Sequence, residues 1–208
     1  NRVRIALAPY SSGVNAGAYA TTVTGVAAPT GNCTFERELP NQVDDSTPAT
    51  GNYLTAIGSP GVNATAFCPD SARVVALTDD KDLLRTEVQG YIANGSTAGH
   101  LGAQWAWYLL SPNWAGVFSG ANAPVDYSDK NTLKAMILMT DGQFNTVAGR
   151  SDNDNSPTAQ RSSKLAKDVC AAARAKGITV YTIGFQLSEP LAIETMKDCA
   201  GSDRNFFE

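Results

Sequence analysis

The sequence predicts an α/β domain built on a mostly parallel sheet with helices on both faces. Apolar segments rich in β-branched residues alternate with segments of helical periodicity, the pattern of strands that return through helices. One apolar run, residues 135–139, has the unbroken pattern of a strand buried on both faces. The length of 208 residues suits one large domain with loop insertions. We therefore expect a single domain over residues 1–208, with insertions at about 11–70 and 111–130.

Strands are predicted where apolar and β-branched residues run together between turn-forming residues. The run at 135–139 is expected to be a central strand, and the polar stretch from Tyr10 to Asn63 to hold loops and short edge strands. The predicted strands cover residues 1–8, 73–77, 135–139 and 178–185, with a short edge strand at 205–208.

Helices are predicted where apolar residues recur every three or four positions after a capping residue. Ser156 directly before Pro157 is typical of a helix start, and that helix is expected to run to about Ala175. A second helix is predicted after Asp80, with Leu84, Val88, Tyr91 and Ile92 on one face. A third is predicted after the turn at 94–99, where Leu101, Trp105, Tyr108 and Leu109 recur at spacings of three and four. A last helix is predicted from Ser188 to about Cys199.

Composition and charge argue against two classes of partner. No apolar run approaches the roughly 20 residues that a bilayer crossing requires. The formal net charge is -4 and the 16 Lys and Arg residues are scattered, whereas nucleic-acid binding needs clustered positive charge. We therefore expect no nucleic acid as partner, and we expect any export signal or membrane anchor to lie upstream of Asn1.

The four cysteines predict structural disulfides. None forms a CxxC pair, which argues against a zinc knuckle or a thioredoxin-type redox motif. Their separation into two groups suggests Cys33–Cys68 and Cys170–Cys199, although four cysteines permit three connectivities. Disulfides indicate an oxidising, extracytoplasmic compartment.

Two loops contain candidate oxygen ligands. Ligands of open α/β sheets bind beyond the carboxyl ends of the strands. Asp141 follows the most hydrophobic predicted strand, and Thr97 lies in a Gly-Ser-Thr loop that opens a helix. The alternatives are structural: an Asp-Gly pair often forms only a turn, and Thr97 can simply cap the helix that follows.

A strand ending in Met-Thr-Asp-Gly at 139–142, with an upstream Gly-Ser-Thr loop at 95–97 that opens a helix, resembles the von Willebrand factor A fold. The resemblance extends to TadG-like proteins of the tight-adherence pilus system and covers nearly the whole chain in matching order. The matching segments are residues 3–15, 95–100, 107–112 and 177–185.

The resemblance implies a metal-ion-dependent adhesion site. That family uses an Asp-x-Ser-x-Ser loop, a Thr in a second loop and an Asp in a third, and Thr97 and Asp141 match the last two positions. Mg²⁺ or another divalent cation suits such ligands because it is a hard ion that prefers about six oxygens. No Asp-x-Ser-x-Ser occurs in these residues, and the family's first strand, normally central, and first helix are absent. We therefore expect the metal site and the sheet to need residues upstream of Asn1, unless another segment takes their place.

The remaining candidates are aromatic residues and the single histidine. Trp114 and Phe118, in the insertion at 111–130, are predicted to face a partner. The aromatic residues of the preceding predicted helix, Trp105, Trp107 and Tyr108, are expected to make core contacts, with one of the three exposed. His100 is the only histidine and lies at a helix start, so it is expected to be a packed or hydrogen-bonded structural residue. The loop at 95–99 imitates a nucleophile elbow, but its centre is Thr rather than Ser.

These observations predict a binding module without enzymatic activity, on an envelope-anchored, pilus-associated bacterial protein. Its loop face, around Thr97, Asp141 and the 111–130 insertion, is expected to meet a protein or surface ligand, including pilus or envelope components. The first alternative is a scaffold or pilus-assembly component without a functional metal site, docked through sheet edges or aromatic loops. The second is a hydrolase that uses Thr97, His100 and Asp141.

Overall fold

The computed structural model describes residues 3–208, so Asn1 and Arg2, the first two residues of the first predicted strand, lie outside the described residues. The strands are β1 (Ile5–Leu7), β2 (Val14–Asn15), β3 (Cys33–Arg37), β4 (Leu54–Ala56), β5 (Val75–Thr78), β6 (Ala135–Thr140), β7 (Thr146–Val147), β8 (Arg150–Ser151), β9 (Thr179–Gly184) and β10 (Phe206–Phe207). The α-helices are α1 (Ala20–Thr24), α2 (Lys81–Gly90), α3 (Gly99–Leu110), α4 (Pro157–Ala175) and α5 (Pro190–Ala200).

The α/β class is confirmed, and the parallel sheet of the described residues lies in the C-terminal half. Strands β6, β9 and β10 form a three-stranded parallel sheet with β9 in the middle. The other described sheets are antiparallel: β1 pairs with β5, β2 with β3, β3 with β4, and β7 with β8. The sequence therefore predicted the βαβ part of the fold better than the part before it.

Strand β6 is not buried on both faces, as its apolar run predicted. Met136 and Leu138 are buried, whereas Ile137 and Met139, which point the other way, are 62% and 58% exposed. The same alternation occurs in β9, where the buried residues pack with α4 and α5. In the described residues the three long helices α3, α4 and α5 cover one face, so the prediction of helices on both faces was wrong for this part of the chain.

Strand β6 is also an edge strand of the described sheet, not a central one. The Lys134 and Thr140 carbonyls accept hydrogen bonds from Thr179 and Phe185, at the two ends of β9. Because backbone groups alternate in direction along a parallel strand, the even-numbered residues of β6 pair with β9 and the odd-numbered ones point to the opposite edge. On that edge the Met139 carbonyl accepts a hydrogen bond from the Tyr10 hydroxyl.

The predicted insertion at 11–70 is an ordered unit with its own apolar core. Strands β2, β3 and β4 and the short helix α1 bury Val14, Val23, Phe35 and Leu54. These side chains pack with one side of α3. The short strands expected here are present and are two to five residues long, and the absence of helical periodicity correctly excluded a long helix. The sequence did not reveal that these strands form one sheet.

Helix α2 begins as predicted and ends earlier. Asp80 caps it, since its carboxylate accepts hydrogen bonds from the Asp82 and Leu83 amides at 3.1 and 2.9 Å. The helix ends at Gly90, and of the predicted apolar face only Leu84 is buried. Val88 and Ile92 are exposed, so the predicted face is largely in contact with solvent.

Helix α3 is buried on nearly every side, with ten of its twelve residues buried. Leu101, Trp105 and Tyr108 pack with the core of the β2–β3–β4 unit, whereas Ala103 and Trp107 pack with α4, α5 and the parallel sheet. The prediction that one of Trp105, Trp107 and Tyr108 is exposed was therefore wrong. Helix α3 lies between the two apolar cores and contributes side chains to both.

Trp114 and Phe118 do not face a partner, because they are 0% and 1% exposed. The Trp114 ring stacks on Tyr108 with ring centroids 3.8 Å apart, and Phe118 stacks on Trp114 at 5.9 Å. The buried Arg37 guanidinium lies over the Tyr108 and Trp114 rings and pairs with Asp44 at 2.9 Å. The aromatic residues of the insertion cover the core at the end of α3. Their polar neighbours in the sequence had led to the prediction that they are exposed.

Both predicted disulfides are present. Cys33–Cys68 joins β3 to the loop before β5, and Cys170–Cys199 joins α4 to α5. No cysteine among the described residues is free. Two disulfides suggest an oxidising, extracytoplasmic environment. Within residues 3–208, no helix combines the length and the apolar character that a membrane crossing needs.

Adjacent residues of β6 provide a test of the one-sided burial. Leu138→Ala should lower the free energy of unfolding by about 2–5 kcal/mol, because it leaves a cavity under α3. Met139→Ala should change it by no more than about 0.5 kcal/mol, since that side chain lies on the uncovered face. Urea denaturation measures both values. Equal losses would show that the second face is covered in solution and would contradict this description of the sheet.

Candidate functional site

The loops that contain Thr97 and Asp141 meet beyond the carboxyl end of β6. The Asn145 amide donates to the Thr97 carbonyl at 3.1 Å, and the Thr97 amide donates to the Asn145 side-chain oxygen at 3.3 Å. Phe144 fixes the same junction, because its ring lies where a side chain on Gly99 would be, 2.0 Å from an ideal Cβ. The structure therefore joins the two loops that the sequence singled out.

The two candidate ligands keep their side-chain oxygens available. Asp141 is exposed and Thr97 is half-buried. Neither the Asp141 carboxylate nor the Thr97 hydroxyl makes a hydrogen bond to another of the described residues. Thr97 does not cap α3, because the N-cap position is occupied by Ala98, which makes no side-chain capping hydrogen bond. Their oxygens are therefore free to bind a ligand. Oxygens that cap a helix or stabilise a turn would already be hydrogen-bonded.

A third loop, residues 11–13, also reaches this end of the molecule, and the sequence analysis did not assign it a role. The Ser12 hydroxyl accepts a hydrogen bond from the Ser96 amide at 3.3 Å, and the Ser11 carbonyl accepts one from Ala98 at 2.8 Å. Gly95, with φ of 97°, lies against both serines. Two serines shortly after a strand were the available signal, but only the pairing with the 94–99 loop shows where they lie.

Tyr10 connects the site to the exposed edge of β6. Its hydroxyl donates to the Met139 carbonyl, two residues before Asp141, and its ring packs on Gly102 of α3. Burial raises the pKa of Tyr10 to about 12, and the nearby Asp141 carboxylate acts in the same direction. The phenol therefore stays protonated at neutral pH and remains a hydrogen-bond donor.

The described residues do not form a complete divalent-cation site on their own. Mg²⁺ prefers about six oxygen ligands in octahedral geometry. Asp141 supplies one carboxylate and Thr97 one hydroxyl, and within residues 3–208 no cluster of three Asp, Glu, His or Cys side chains could hold a metal ion. Ser11 and Ser12 are largely buried, and their hydroxyls already make hydrogen bonds within the fold. Further oxygen ligands from outside these residues would be needed.

His100 lies in a buried polar network in the first turn of α3. Its Nε2 is 2.6 Å from Oε1 of Glu36 on β3, and its Nδ1 is 2.8 Å from the Ser162 hydroxyl on α4. Both Glu36 oxygens accept a hydrogen bond from the Ala148 amide at 3.0 Å. Burial alone would raise the pKa of Glu36, but the hydrogen bond and charge of His100, together with the Ala148 amide, outweigh burial and lower that pKa.

The hydrolase arrangement with Thr97, His100 and Asp141 is not formed, because both His100 ring nitrogens already contact Ser162 and Glu36. Ser162, His100 and Glu36 place a hydroxyl, an imidazole and a carboxylate in sequence, as nucleophilic catalysis requires. Ser162 is fully buried, and the internal cavity beside Glu36 and His100 has a volume of only about 10 Å³. That volume admits a water molecule and no substrate, so the geometry supports the structural role expected for His100.

The lowered pKa of Glu36 predicts an acid-sensitive contribution to stability. A carboxyl whose pKa is lower in the folded state stabilises the fold above its unfolded pKa, and the contribution is lost as pH falls through the folded pKa. Glu36→Gln should therefore be destabilising at pH 6 and should flatten the fall in the free energy of unfolding between pH 5 and 3. Urea denaturation across this range measures both effects. The exposed neighbour Glu38 provides the control, since Glu38→Gln should keep the wild-type slope; an unchanged slope in Glu36→Gln would contradict the assignment.

Comparison with known proteins adds no family assignment. No protein-family model matches the chain, and no curated protein sequence matches it either. The similarity to the von Willebrand factor A fold therefore remains a resemblance based on the motifs around Thr97 and Asp141 and on the order of the matching segments.

Proposed function

We propose that this chain is a binding module of an extracytoplasmic protein, and that the face formed by the loops at 11–13, 94–99 and 141–145 meets its ligand. The observation that supports the proposal is the hydrogen-bonded junction of the Thr97 and Asp141 loops, with both side-chain oxygens free. Such oxygens on loops beyond the carboxyl end of a parallel strand suit recognition of a polar or charged group. Adhesion to a protein or surface ligand is the function that fits.

The finer assignment is to the von Willebrand factor A fold, in a TadG-like protein of a tight-adherence pilus. The edge of β6 away from β9 supports it, because an additional central strand would pair there with the odd-numbered residues before Met139, whose carbonyl is bonded to Tyr10. The exposed Ile137 and Met139 would then be covered by a helix on the second face. On this proposal the protein sits in the periplasm, in the envelope or on the cell surface, and its anchor lies in other parts of a longer chain.

A divalent cation belongs to the proposal as a bridging ion. Thr97 and Asp141 are the residues of this chain that would hold it, and the remaining oxygens would come from a segment beside the β6 edge and from the ligand. One carboxylate and one neutral hydroxyl leave the cation with residual positive charge, which attracts a carboxylate of the partner. Trp114 and Phe118 take no part in this contact, because both are buried in the core.

A scaffold role is the second candidate, and a different observation favours it. The edge and the uncovered apolar face of β6 could dock another pilus or envelope component without any metal. The two candidates differ in which surface binds the partner. It is the loop face in the first candidate and the edge of the sheet in the second.

Mn²⁺ titration separates the two candidates. At a Mn²⁺ concentration ten times its dissociation constant, the ion should stabilise a longer natural chain that supplies the remaining oxygens by about 1.4 kcal/mol and so raise its melting temperature. Thr97→Ala should weaken the response and Asp141→Asn should abolish it, because Asp141 supplies the only carboxylate of the face.

Asp154→Asn is the matched control for the titration, since Asp154 is an exposed carboxylate in the nearby polar segment before α4. This variant should respond to Mn²⁺ as the wild type does. An identical melting temperature with and without Mn²⁺, in a longer natural chain as well as in this one, would remove the cation from the proposal and favour the scaffold role.

A further inference from the structure

We propose that Glu36 is a positioning residue of the ligand face: its buried carboxylate holds the Asp141 loop against the Thr97 loop. This inference rests on the proposed function for its meaning, because it explains how the two candidate ligands keep a fixed relation. Glu36 lies on β3, outside the three loops of the face, and no sequence motif pointed to it.

The first arm of the argument is the bond from Glu36 to the hairpin that follows Asp141. Both carboxylate oxygens of Glu36 accept from the Ala148 amide, at the turn between β7 and β8. Ala148 has φ of 49° and Gly149 has φ of 70°. Alanine rarely adopts that left-handed conformation, so Ala148 needs a partner that holds its backbone in place. Glu36 is that partner. The backbone and side-chain amides of Asn63 also donate hydrogen bonds to the carbonyls of Ala148 and Gly149.

The second arm is the bond from Glu36 to the helix that follows Thr97. His100 lies three residues after Thr97, in the first turn of α3, and its Nε2 is 2.6 Å from the same carboxylate. His100 is itself fixed through Nδ1 to Ser162 on α4, the helix that follows the β7–β8 hairpin. One carboxylate therefore contacts both segments that lead out of the candidate site.

Burial makes these two arms interdependent. Glu36 is 7% exposed, and a buried carboxylate is tolerated only when its partners satisfy it. Losing either partner leaves a buried charge incompletely paired, so the hairpin and the start of α3 are held together or released together. The reciprocal Asn145–Thr97 hydrogen bonds lie between the two anchored ends and depend on both.

Amide hydrogen exchange tests the proposal in Glu36→Gln. The Ala148 amide loses a charged acceptor in any account, so the decisive reporter is the Asn145 amide, which bonds to Thr97 and not to Glu36. We expect Asn145 to exchange about tenfold faster in Glu36→Gln, while Phe185, whose amide bonds to the end of β6, is unchanged. The exposed Glu38→Gln is the matched control and should exchange as the wild type does.

A rescue variant distinguishes positioning from a general loss of stability. In the Glu36→Gln background, Ala148→Gly should restore the protection of Asn145, because glycine adopts a φ near 49° without strain. If Glu36→Gln does not fold, Glu36→Asp, which keeps the charge but withdraws it by one methylene, is measured in the same way.

Unchanged exchange at Asn145, or a uniform acceleration that includes Phe185 and is not rescued by Ala148→Gly, would overturn the proposal. Repeating the measurement with Mn²⁺ keeps the two proposals separate. If Mn²⁺ protects no amide of the 94–99 and 141–145 loops in the wild type, the metal part of the proposed function fails, while the Asn145 result still decides the role of Glu36.

Discussion

The packing of α3 is the constraint on which the rest of the structure depends. An amphipathic surface helix needs one apolar stripe, but α3 has apolar or small residues on nearly its whole circumference and separates two cores. Gly99 and Gly102 allow Phe144 and Tyr10 to approach the helix closely, and these two rings fix the loops at the carboxyl end of β6. The imidazole of His100, which α3 buries, has its polar partners on β3 and on α4. The position of the candidate site is therefore a consequence of how α3 is buried.

This arrangement explains how a ligand face can form beside a parallel sheet that has three strands in the described residues. The β1–β5 pair and the parallel sheet are separate, yet both contact α3, and the Tyr10 hydroxyl reaches from one to the edge of the other. The loops after both sheets consequently converge, with Thr97 between them at the entrance to α3. What the described residues leave open is the outer edge and the second face of β6, and there Ile137 and Met139 are exposed where a buried strand would be expected.

The sequence predicted the C-terminal half of the fold well because its signals are local. Ser156 and Pro157 mark the start of α4, Gly177 precedes β9, and the spacing of the cysteines was sufficient to suggest both disulfides. The N-terminal half was poorly predicted because β2, β3 and β4 are too short for a periodic pattern. The burial of Trp114 and Phe118 was missed because Arg37 and Tyr19, which lie against their rings, are distant in sequence. For the site, the sequence identified Asp141 from its place after a strand and Thr97 from its place in a loop that opens a helix. Ser12, Asn145 and Glu36 were missed, since their roles arise only from hydrogen bonds between separate segments.

The central claim is that the Thr97 and Asp141 loops form one ligand face that holds a divalent cation. Anomalous diffraction from crystals of a longer natural chain grown with Mn²⁺ tests this claim most directly. The account predicts an anomalous peak within coordination distance, about 2.2 Å, of the Asp141 carboxylate and on the side of the Thr97 hydroxyl. It also predicts that the Asn145–Thr97 hydrogen bonds persist when the ion is bound. No peak at this face, or a peak bound only by carboxylates elsewhere on the surface, would contradict the claim that a divalent cation bridges the face to its partner.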